Sequence, residues 1–313
     1  MKVRVYTRSS GREISGGLKQ MYRLVDVLCI LGYDAALAMP SIAQRQNWFK
    51  NDTNIVDADK MSLEKGDVLV IGEQVREIPD LKGVSDAFIV VYAQNPYGVI
   101  PGMGQTVLHS LARYRDRIGM VMCVSEHSRG LLSWMLRTEV VRVRYSFDRE
   151  PFGYHAQKSN TIAIMPRKSG MEISASLMLM RALNKMRNWH VGIIGGRNEE
   201  QTAEMLKRSA IFMSGSNLEG FGMPPAEAMA CGCVVVGYDG IAGEEFMDPS
   251  LCLLVRDGDM LGMAMALDKA MSMSPEERMV MGAAASGAIR SAYSTEREIE
   301  SVKQAFKRVE ELI

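Results

Sequence analysis

The chain contains one stretch dense in glycine, proline and acidic residues, Ser214-Gly-Ser-Asn-Leu-Glu219-Gly-Phe-Gly-Met-Pro-Pro-Ala-Glu227-Ala-Met-Ala-Cys-Gly232. Its glycines Gly220 and Gly222 permit a positive φ or a close approach of the backbone to a ligand. The adjacent prolines suit the first turn of a helix, where a missing N–H costs little, and the last glycine suits a helix end. The pattern predicts a helix from about 224 to 231. The turn before it can direct amide N–H groups at one point, as in an anion site.

Two carboxylates flank this turn. Glu219 lies in the predicted loop, and we expect Glu227 in the first turn of the helix. An acid in a first turn can simply complement the helix dipole. The other common structural use, a reciprocal capping box, needs Ser or Thr three residues earlier, where Pro224 stands. With glycines between them, the two carboxylates are typical of acceptors that hold hydroxyl groups beside a phosphate.

The segment from Glu219 to Gly232 resembles the E-x7-E signature of GT-B glycosyltransferases, in particular the retaining GT4 family, also called glycosyltransferase group 1. The resemblance implies an α/β fold with two Rossmann-like domains whose parallel sheets face each other across a cleft. It implies that Glu227 binds the ribose hydroxyls of a sugar nucleotide. It also implies that the donor sugar is held by Glu219 and by the backbone of Gly220, Phe221, Gly222 and Met223.

Length and composition agree with this organisation. The 313 residues suffice for two domains, and 47% apolar with 24% charged residues is the balance of a soluble globular protein. No run of eighteen apolar residues suggests a membrane span, and the N-terminus lacks the apolar core of a signal peptide, so we expect a cytoplasmic protein. The expected domains are 1–152 for the acceptor, 153–295 for the donor, and a final helix, 296–313, which by the resemblance crosses back to the first.

The cysteines and histidines do not have the spacing of a metal site. Cys231-Gly-Cys233 is tight and isolated, with no second Cys or His pair at ligand spacing. The five cysteines lie mostly in apolar runs, which is typical of buried free thiols. We therefore expect no metal and no cofactor, with the nucleoside diphosphate sugar as co-substrate.

The N-terminal half begins with a βαβ pattern. A strand from Lys2 to Tyr6 precedes Gly16-Gly17, a helix to about Leu31, and a strand from Asp34 to Ala38, which indicates a parallel sheet. Gly16 and Gly17 are either an ordinary helix entry or, as the resemblance implies, neighbours of the donor phosphates. The stretch 41–66 shows little periodicity and is interpreted as a packed surface loop or as part of the acceptor site.

Polar residues follow a buried strand at Phe88 to Tyr92. Ligands of parallel sheets gather at the carboxyl ends of the strands, so we expect Gln94, Asn95 and Tyr97 to contact the acceptor or the donor sugar. Many GT4-like enzymes have a histidine at the end of the equivalent strand, whereas Gln94-Asn95 stands here. His109, in a predicted helix, is either its substitute or a surface residue.

The region 101–149 contains eight arginines and four acidic residues, although the whole chain is neutral. Such a run is either a solvated face or an electrostatic footprint for an anionic acceptor such as a lipid head group, a phosphorylated glycan or nucleic acid.

In the second half, Arg167 and Lys168 follow a strand from Thr161 to Met165 and precede a helix. Two cations before a helix N-terminus are electrostatically disfavoured, so we expect a bound anion, the donor diphosphate, to offset them. The resemblance agrees, and the Pro-Arg-Lys form is similar to rhamnosyltransferase-like members. By the same resemblance Gly196 and Arg197 lie against the nucleotide base.

Together these patterns predict an enzyme that moves a sugar from a nucleoside diphosphate sugar to a hydroxyl of a glycan, a lipid or another acceptor. Retention of configuration is implied by the resemblance alone. Glu219, Arg167 and Lys168 are the expected catalytic residues. Three alternatives stay open: transfer to a modified base in nucleic acid, a non-catalytic sugar-nucleotide-binding protein, and another activity on the same fold such as a phosphorylase or epimerase.

Overall fold

The protein consists of two compact units in a computed structural model that describes residues 1–8, 14–75, 78–100, 117–136, 138–165 and 170–313, with Val99 described by its backbone only. The first unit is Met1–Tyr145 together with Glu296–Ile313, and the second is Ser146–Thr295. Each contains one parallel β-sheet with helices, which is the α/β class expected from the sequence.

The first unit is built on a seven-stranded sheet in the order β3-β2-β1-β4-β5-β6-β7, and every neighbouring pair is parallel. The strands are β1 Lys2–Tyr6, β2 Asp34–Met39, β3 Ile55–Asp57, β4 Val68–Gly72, β5 Phe88–Ala93, β6 Ile118–Cys123 and β7 Val140–Arg142. All five residues of β4 are buried because helices or loops cover both faces of a central parallel strand.

Among the residues that the structure describes, three helices belong mainly to this unit: α1 Gly16–Ile30, α2 Glu126–Met135 and α8 Thr295–Leu312. Helix α1 ends before Gly32, whose φ of 90° few other residues adopt. Helix α8 is the end of the chain, and from Glu296 onward it belongs to the first unit. Its Glu298 is buried and paired with Arg23 of α1, with N···O 2.6 Å.

The stretch 41–66 contains a short edge strand, β3, which the sequence did not reveal. Phe49 is buried against Tyr22 of α1 in an edge-to-face contact at 5.2 Å, and the Gln46 amide donates to the Tyr22 hydroxyl at 3.0 Å. Much of the stretch therefore packs on α1.

The second unit has a five-stranded parallel sheet in the order β12-β11-β10-β8-β9. Its strands are β8 Ser159–Ile164, β9 His190–Ile193, β10 Ser209–Ser214, β11 Val234–Gly237 and β12 Leu253–Leu254. Its helices are α3 Gly170–Ala182, α4 Glu199–Arg208, α5 Met223–Ala230, α6 Met260–Ser272 and α7 Pro275–Ala292. Six buried residues of β10 place this strand at the centre of the core.

The first unit ends at Tyr145, before the boundary at 152 expected from the sequence. The reason is packing. The Phe147 amide donates to the Tyr293 carbonyl at 2.8 Å, and Asp148 accepts hydrogen bonds from the amide and hydroxyl of Thr295 at 3.0 and 2.8 Å. The residues from 146 to 152 are therefore part of the second unit.

Candidate active site

A pocket lies in the second unit at the carboxyl ends of β8 and β10. Its lining combines strand ends, the loop after β10 and the first turn of α5: Met165, Phe212, Met213, Ser214, Gly215, Ser216, Glu219, Pro224 and Pro225. In open parallel sheets this edge is where ligands bind. Among the described residues that line this pocket, Glu219 is the acidic one.

Glu219 is held by an unusual backbone arrangement. Its amide donates to the Gly240 carbonyl at 3.0 Å, within a bridge between Glu219 and Ile241. A Cβ on Gly240 would come within 2.9 Å of the Glu219 Cγ, so glycine is required there. Leu218 and Ile241 have φ of 52° and 69°, a region that side chains such as Ile rarely adopt. Strain of this kind concentrates at functional sites.

Helix α5 begins one residue earlier than the sequence suggested. Gly222 is its N-cap, with φ 94°, and Met223 is the first helical residue. Glu227 is consequently in the second turn, which corrects its expected place in the first; there is no acidic residue in the first turn. Because Pro224 and Pro225 carry no N–H, Met223 is the only one of the first three helical residues with an amide donor.

The Phe221 side chain is not directed at a ligand. It is 3% exposed and stacks between Phe147 and Phe246, with ring centroids 5.5 and 5.1 Å away. Tyr293 meets it edge-on at 5.1 Å and donates to Glu245 at 2.8 Å. Only the backbone of Phe221 is suited to the donor-binding role expected from the sequence, and the ring anchors the loop. Its partners are distant in sequence, so no local pattern reveals them.

Arg167 and Lys168 lie outside the described residues. Met165, just before them in sequence, lines the pocket. Gly196, with φ 63°, and Arg197 follow β9 on the same sheet. The Arg197 Nε donates to the Ile193 carbonyl at 3.3 Å, a weak bond at an exposed site.

In the first unit, the structure brings Gly17 and Gln94 together. The side-chain Nε2 of Gln94 donates to the Gly17 carbonyl at 2.9 Å. A Cβ on Gly17 would lie 2.2 Å from the Gln94 Oε1. Gly16 and Gly17 are the first two residues of α1. A side chain at position 17 would therefore displace the end of the Gln94 side chain.

Asn95 and Tyr97 occupy the same edge of the first unit's sheet. The Asn95 Oδ1 accepts the Tyr97 amide at 3.0 Å and so caps a 3₁₀ helix, Pro96–Val99. The Tyr97 hydroxyl lies 2.7 Å from the Nε2 of His127, in the first turn of α2. Ser125 caps α2, since its hydroxyl accepts the Ser128 amide at 3.0 Å. His109 lies outside the described residues.

A further residue of this edge was missed. Glu73 follows β4 directly, is 3% exposed, and accepts the amides of Gln94 and Asn95. Burial raises its pKa to about 7, although hydrogen bonds from backbone amides act in the opposite direction. A glutamate that follows an apolar strand looks in sequence like any loop acid, so the only available signal was its position at a strand end.

The described arginines of region 101–149 are dispersed. Arg129 and Arg142 both pair with Glu126, at 2.7 and 3.1 Å. Arg117 donates to the Val84 carbonyl at 2.7 Å. Arg149 belongs to the second unit, whereas the others named here belong to the first. Arg113, Arg115 and Arg137 lie outside the described residues.

The cysteines are free thiols, and all except Cys29 are buried. Burial raises the pKa of Cys123 to about 12. Among the described residues, no group of three or more His, Cys, Asp or Glu side chains is arranged to hold a metal ion. Within the same part of the chain, no helix is both long and apolar enough to cross a bilayer.

Known proteins with the same fold are glycosyltransferases of the GT-B class. Sucrose-phosphate synthase from Thermosynechococcus elongatus matches with a TM-score of 0.72 at 11% identity, over 98% of both chains. Anabaena HepE in complex with UDP and glucose matches with a TM-score of 0.64 at 11% identity, over 99% of both chains. The protein therefore has the GT-B fold expected from the resemblance.

Sequence comparisons point the same way. Residues 178–287 match the family described as Glycosyl transferases group 1, so the second unit carries a glycosyltransferase group 1 domain. The chain is also 22% identical over 265 residues to an alpha-1,6-glucosyltransferase of Actinobacillus pleuropneumoniae serotype 7, covering 82% of this chain and 79% of that protein. These matches confirm the expected resemblance to glycosyltransferase group 1 proteins, and they indicate an enzyme of sugar transfer.

Proposed function

We propose that the protein is a retaining GT4 enzyme that transfers a glycosyl group from a nucleoside diphosphate sugar to a hydroxyl of a glycan or lipid acceptor. The observation that carries this proposal is the pocket of the second unit. All of its described lining residues except Met165 lie in the segment that matches the family, and it combines Glu219 with the first turn of α5 at the carboxyl ends of parallel strands.

In this proposal the donor occupies that pocket. Glu219 and the backbone from Gly220 to Met223 orient the sugar, and Glu227 holds the ribose hydroxyls. Negative charge grows on the departing diphosphate in the transition state, where fixed positive charge is worth most. Arg167, Lys168 and the N-terminal end of α5 supply that charge, so the reaction proceeds without a metal ion.

The proposed acceptor contacts are Gln94, Asn95 and Tyr97 of the first unit. UDP is the first nucleotide to test, because HepE was solved with UDP and glucose, and an S. aureus TarM mutant was solved with UDP and alpha-GlcNAc-glycerol. The alpha-GlcNAc-glycerol in the TarM structure is also consistent with an acceptor hydroxyl on a small polyol. TarM is 14% identical to this chain.

The test is thermal unfolding of the wild type and Glu227→Ala with UDP, GDP, dTDP, ADP, CMP and their common sugar conjugates. A ligand at one hundred times its dissociation constant adds about 2.7 kcal/mol to the stability, a shift of several degrees at this size. We expect one nucleotide series to shift the wild type but not Glu227→Ala. The exposed Glu200 of the same unit provides the control, since Glu200→Ala should shift like the wild type. Absence of a shift in the wild type with every nucleotide contradicts the proposal.

A second candidate is a non-catalytic sugar-nucleotide-binding protein. It is motivated by Gln94, which stands where GT4-like enzymes have a histidine and whose side chain is bonded to Gly17. Turnover of a donor by the wild type, lost in Glu219→Ala, rules this candidate out. Binding of a nucleotide without turnover of any sugar conjugate favours it.

A further inference from the structure

Glu73 joins the ends of two neighbouring strands of the first unit. It follows β4, and the residues it binds follow β5, which pairs with β4 up to Gly72 and Tyr92. Its Oε2 accepts the amide of Gln94 and its Oε1 accepts the amide of Asn95, both at 3.1 Å. Both carboxylate oxygens are thus engaged with consecutive amides, which fixes the direction in which the chain leaves β5.

The same arrangement extends to a third element. Gln94 donates from its side chain to the Gly17 carbonyl in the first turn of α1. The absence of a Cβ at Gly17 is what permits the approach, because an added Cβ would lie 2.2 Å from the Gln94 Oε1. The backbone position of Gln94, set by Glu73, therefore also determines where its side chain reaches α1.

Asn95 connects this segment to Tyr97. Its side chain caps the 3₁₀ helix that carries Tyr97, and the Tyr97 hydroxyl meets His127 at 2.7 Å. A shift of the Asn95 backbone would move this cap. Three side chains proposed to contact substrate thus take their positions from the segment that Glu73 binds.

A buried carboxylate is a costly way to satisfy two amides. Removal of the ionised group from water is unfavourable, and the raised pKa of Glu73 has burial as its main cause. In return, one side chain accepts two consecutive amides, each at 3.1 Å, and so fixes the segment at two points. This suits a segment that must hold a substrate.

We propose that Glu73 is a positioning residue, an inference that rests on the proposed function: it holds the Gln94–Asn95 backbone so that Gln94, Asn95 and Tyr97 meet the substrate in one orientation. Glu73 itself does not touch the substrate in this assignment. It acts through the segment after β5.

The first test needs no ligand. Hydrogen exchange of the Gln94 and Asn95 amides is measured by NMR in the full chain, for the wild type, Glu73→Gln and the control Asp80→Asn, which alters an exposed acid of the same unit. A glutamine oxygen replaces only one of the two acceptors. We expect at least one of the two amides to exchange about tenfold faster in Glu73→Gln, and both to keep the wild-type rate in Asp80→Asn. Wild-type protection of both amides in Glu73→Gln overturns the proposal.

The second test is a double-mutant cycle on turnover of UDP-glucose, followed by UDP release, with UDP-GlcNAc and the sugar conjugates of the other nucleotides tried in turn. If Glu73 acts through Gln94, Glu73→Gln lowers kcat about tenfold or more, since small misplacements are costly in catalysis. Glu73→Gln/Gln94→Ala is then no slower than Gln94→Ala alone. The nucleotide-induced shift in unfolding temperature stays at the wild-type value, because the nucleotide binds the second unit.

The outcomes separate the two proposals. An active wild type with equally active Glu73→Gln, or losses that simply add in the double variant, contradicts the role of Glu73. A wild type that turns over none of the sugar nucleotides contradicts the proposed function instead. If Glu73→Gln does not fold, Glu73→Asp is measured in its place; it keeps the charge but withdraws both oxygens by one methylene, and the same losses are expected.

Discussion

At the scale of single residues, the donor pocket depends on backbone conformations that most side chains avoid. Leu218 and Ile241, on either side of the bridge to Glu219, both have positive φ, and an isoleucine there is sterically disfavoured. Conformations of this kind cost roughly 1–3 kcal/mol each and persist only where the surrounding contacts enforce them. The contacts here include the Asp239 carboxylate, which accepts the Ile241 amide at 2.7 Å. The loop is therefore built to hold Glu219 in place.

Glu73 leads to a prediction about pH. Its pKa in the folded protein, about 7, is above its ordinary value of 4.5. The folded state thus binds the proton more tightly than the unfolded state does. The contribution of Glu73 to stability is fully present below about pH 4.5 and is lost as the pH rises through about 7. At about 1.4 kcal/mol per pKa unit, the loss amounts to about 3 kcal/mol.

The measurement is the free energy of unfolding by urea at pH 4.5 to 8 for the wild type and Glu73→Gln. We expect the wild type to lose stability relative to Glu73→Gln as the pH rises, while Asp80→Asn follows the wild type throughout. The comparison between variants cancels the titration of all other groups. A difference between wild type and Glu73→Gln that is constant with pH would show that the carboxyl titrates alike in the folded and unfolded states.

The residues of the site were unequally visible in the sequence. Glu219 and Glu227 were visible because they belong to a dense local motif, although the turn of the helix that holds Glu227 was not. Glu73 was not visible, because burial depends on what covers a residue in three dimensions. The direction of the Phe221 ring was hidden for the same reason, since Phe147 and Tyr293 approach it from far along the chain.

At the scale of elements, the end of α6 depends on a side chain from the next helix. Arg278 of α7 donates to the carbonyl groups of Ala270, Met271 and Met273 and lies over the Trp189 ring at 5.1 Å. A cation at a helix C-terminus is favoured by the helix dipole and satisfies carbonyls that lack an intrahelical partner. Arg278 is buried, and this burial lowers the pKa of its guanidinium.

We expect Arg278→Met to destabilise the protein by about 2 kcal/mol, because it removes charged hydrogen bonds to these carbonyls but keeps much of the packing on Trp189. The measurement is urea unfolding, with Arg187→Met, an exposed arginine of the same unit, as the matched control. A loss no larger than that of Arg187→Met would assign the stabilisation to packing alone.

Elements differed in how well the sequence predicted them. Strand β5 was recognisable as a short apolar run, because a central parallel strand is buried on both faces. Strand β3 escaped notice, since it has three half-buried residues at a sheet edge. Strand β12 has only two residues. Edge strands show a weak apolar pattern in sequence because less of their surface is covered by the rest of the protein.

At the scale of the whole molecule, the chain returns at its end to the unit in which it began. Several bonds join α8 to the rest of the first unit. Those at partly exposed positions, such as Arg308 with Glu139 at 2.7 Å, contribute little each. Arg23 and Glu298 differ, because their side chains are 14% and 4% exposed and the guanidinium donates twice to one carboxylate oxygen, at 2.9 and 2.6 Å.

Removal of one partner of this pair leaves a buried charge. We expect Arg23→Met to destabilise the first unit by about 3 kcal/mol, because the buried Glu298 carboxylate then lacks its guanidinium. We expect Arg23→Met/Glu298→Leu to recover most of that loss, because it also removes the buried carboxylate.

The two units need not unfold together, so a probe of the first unit is required. Of the three tryptophans, Trp48 and Trp134 lie in the first unit and Trp189 in the second. A Trp189→Phe background therefore makes tryptophan fluorescence report on the first unit alone. Arg308→Met in that background is the control, with an expected loss below about 1 kcal/mol. Equal losses for Arg23→Met and the double variant would mean that the loss comes from the missing ion pair and not from burial of the Glu298 carboxylate without its guanidinium.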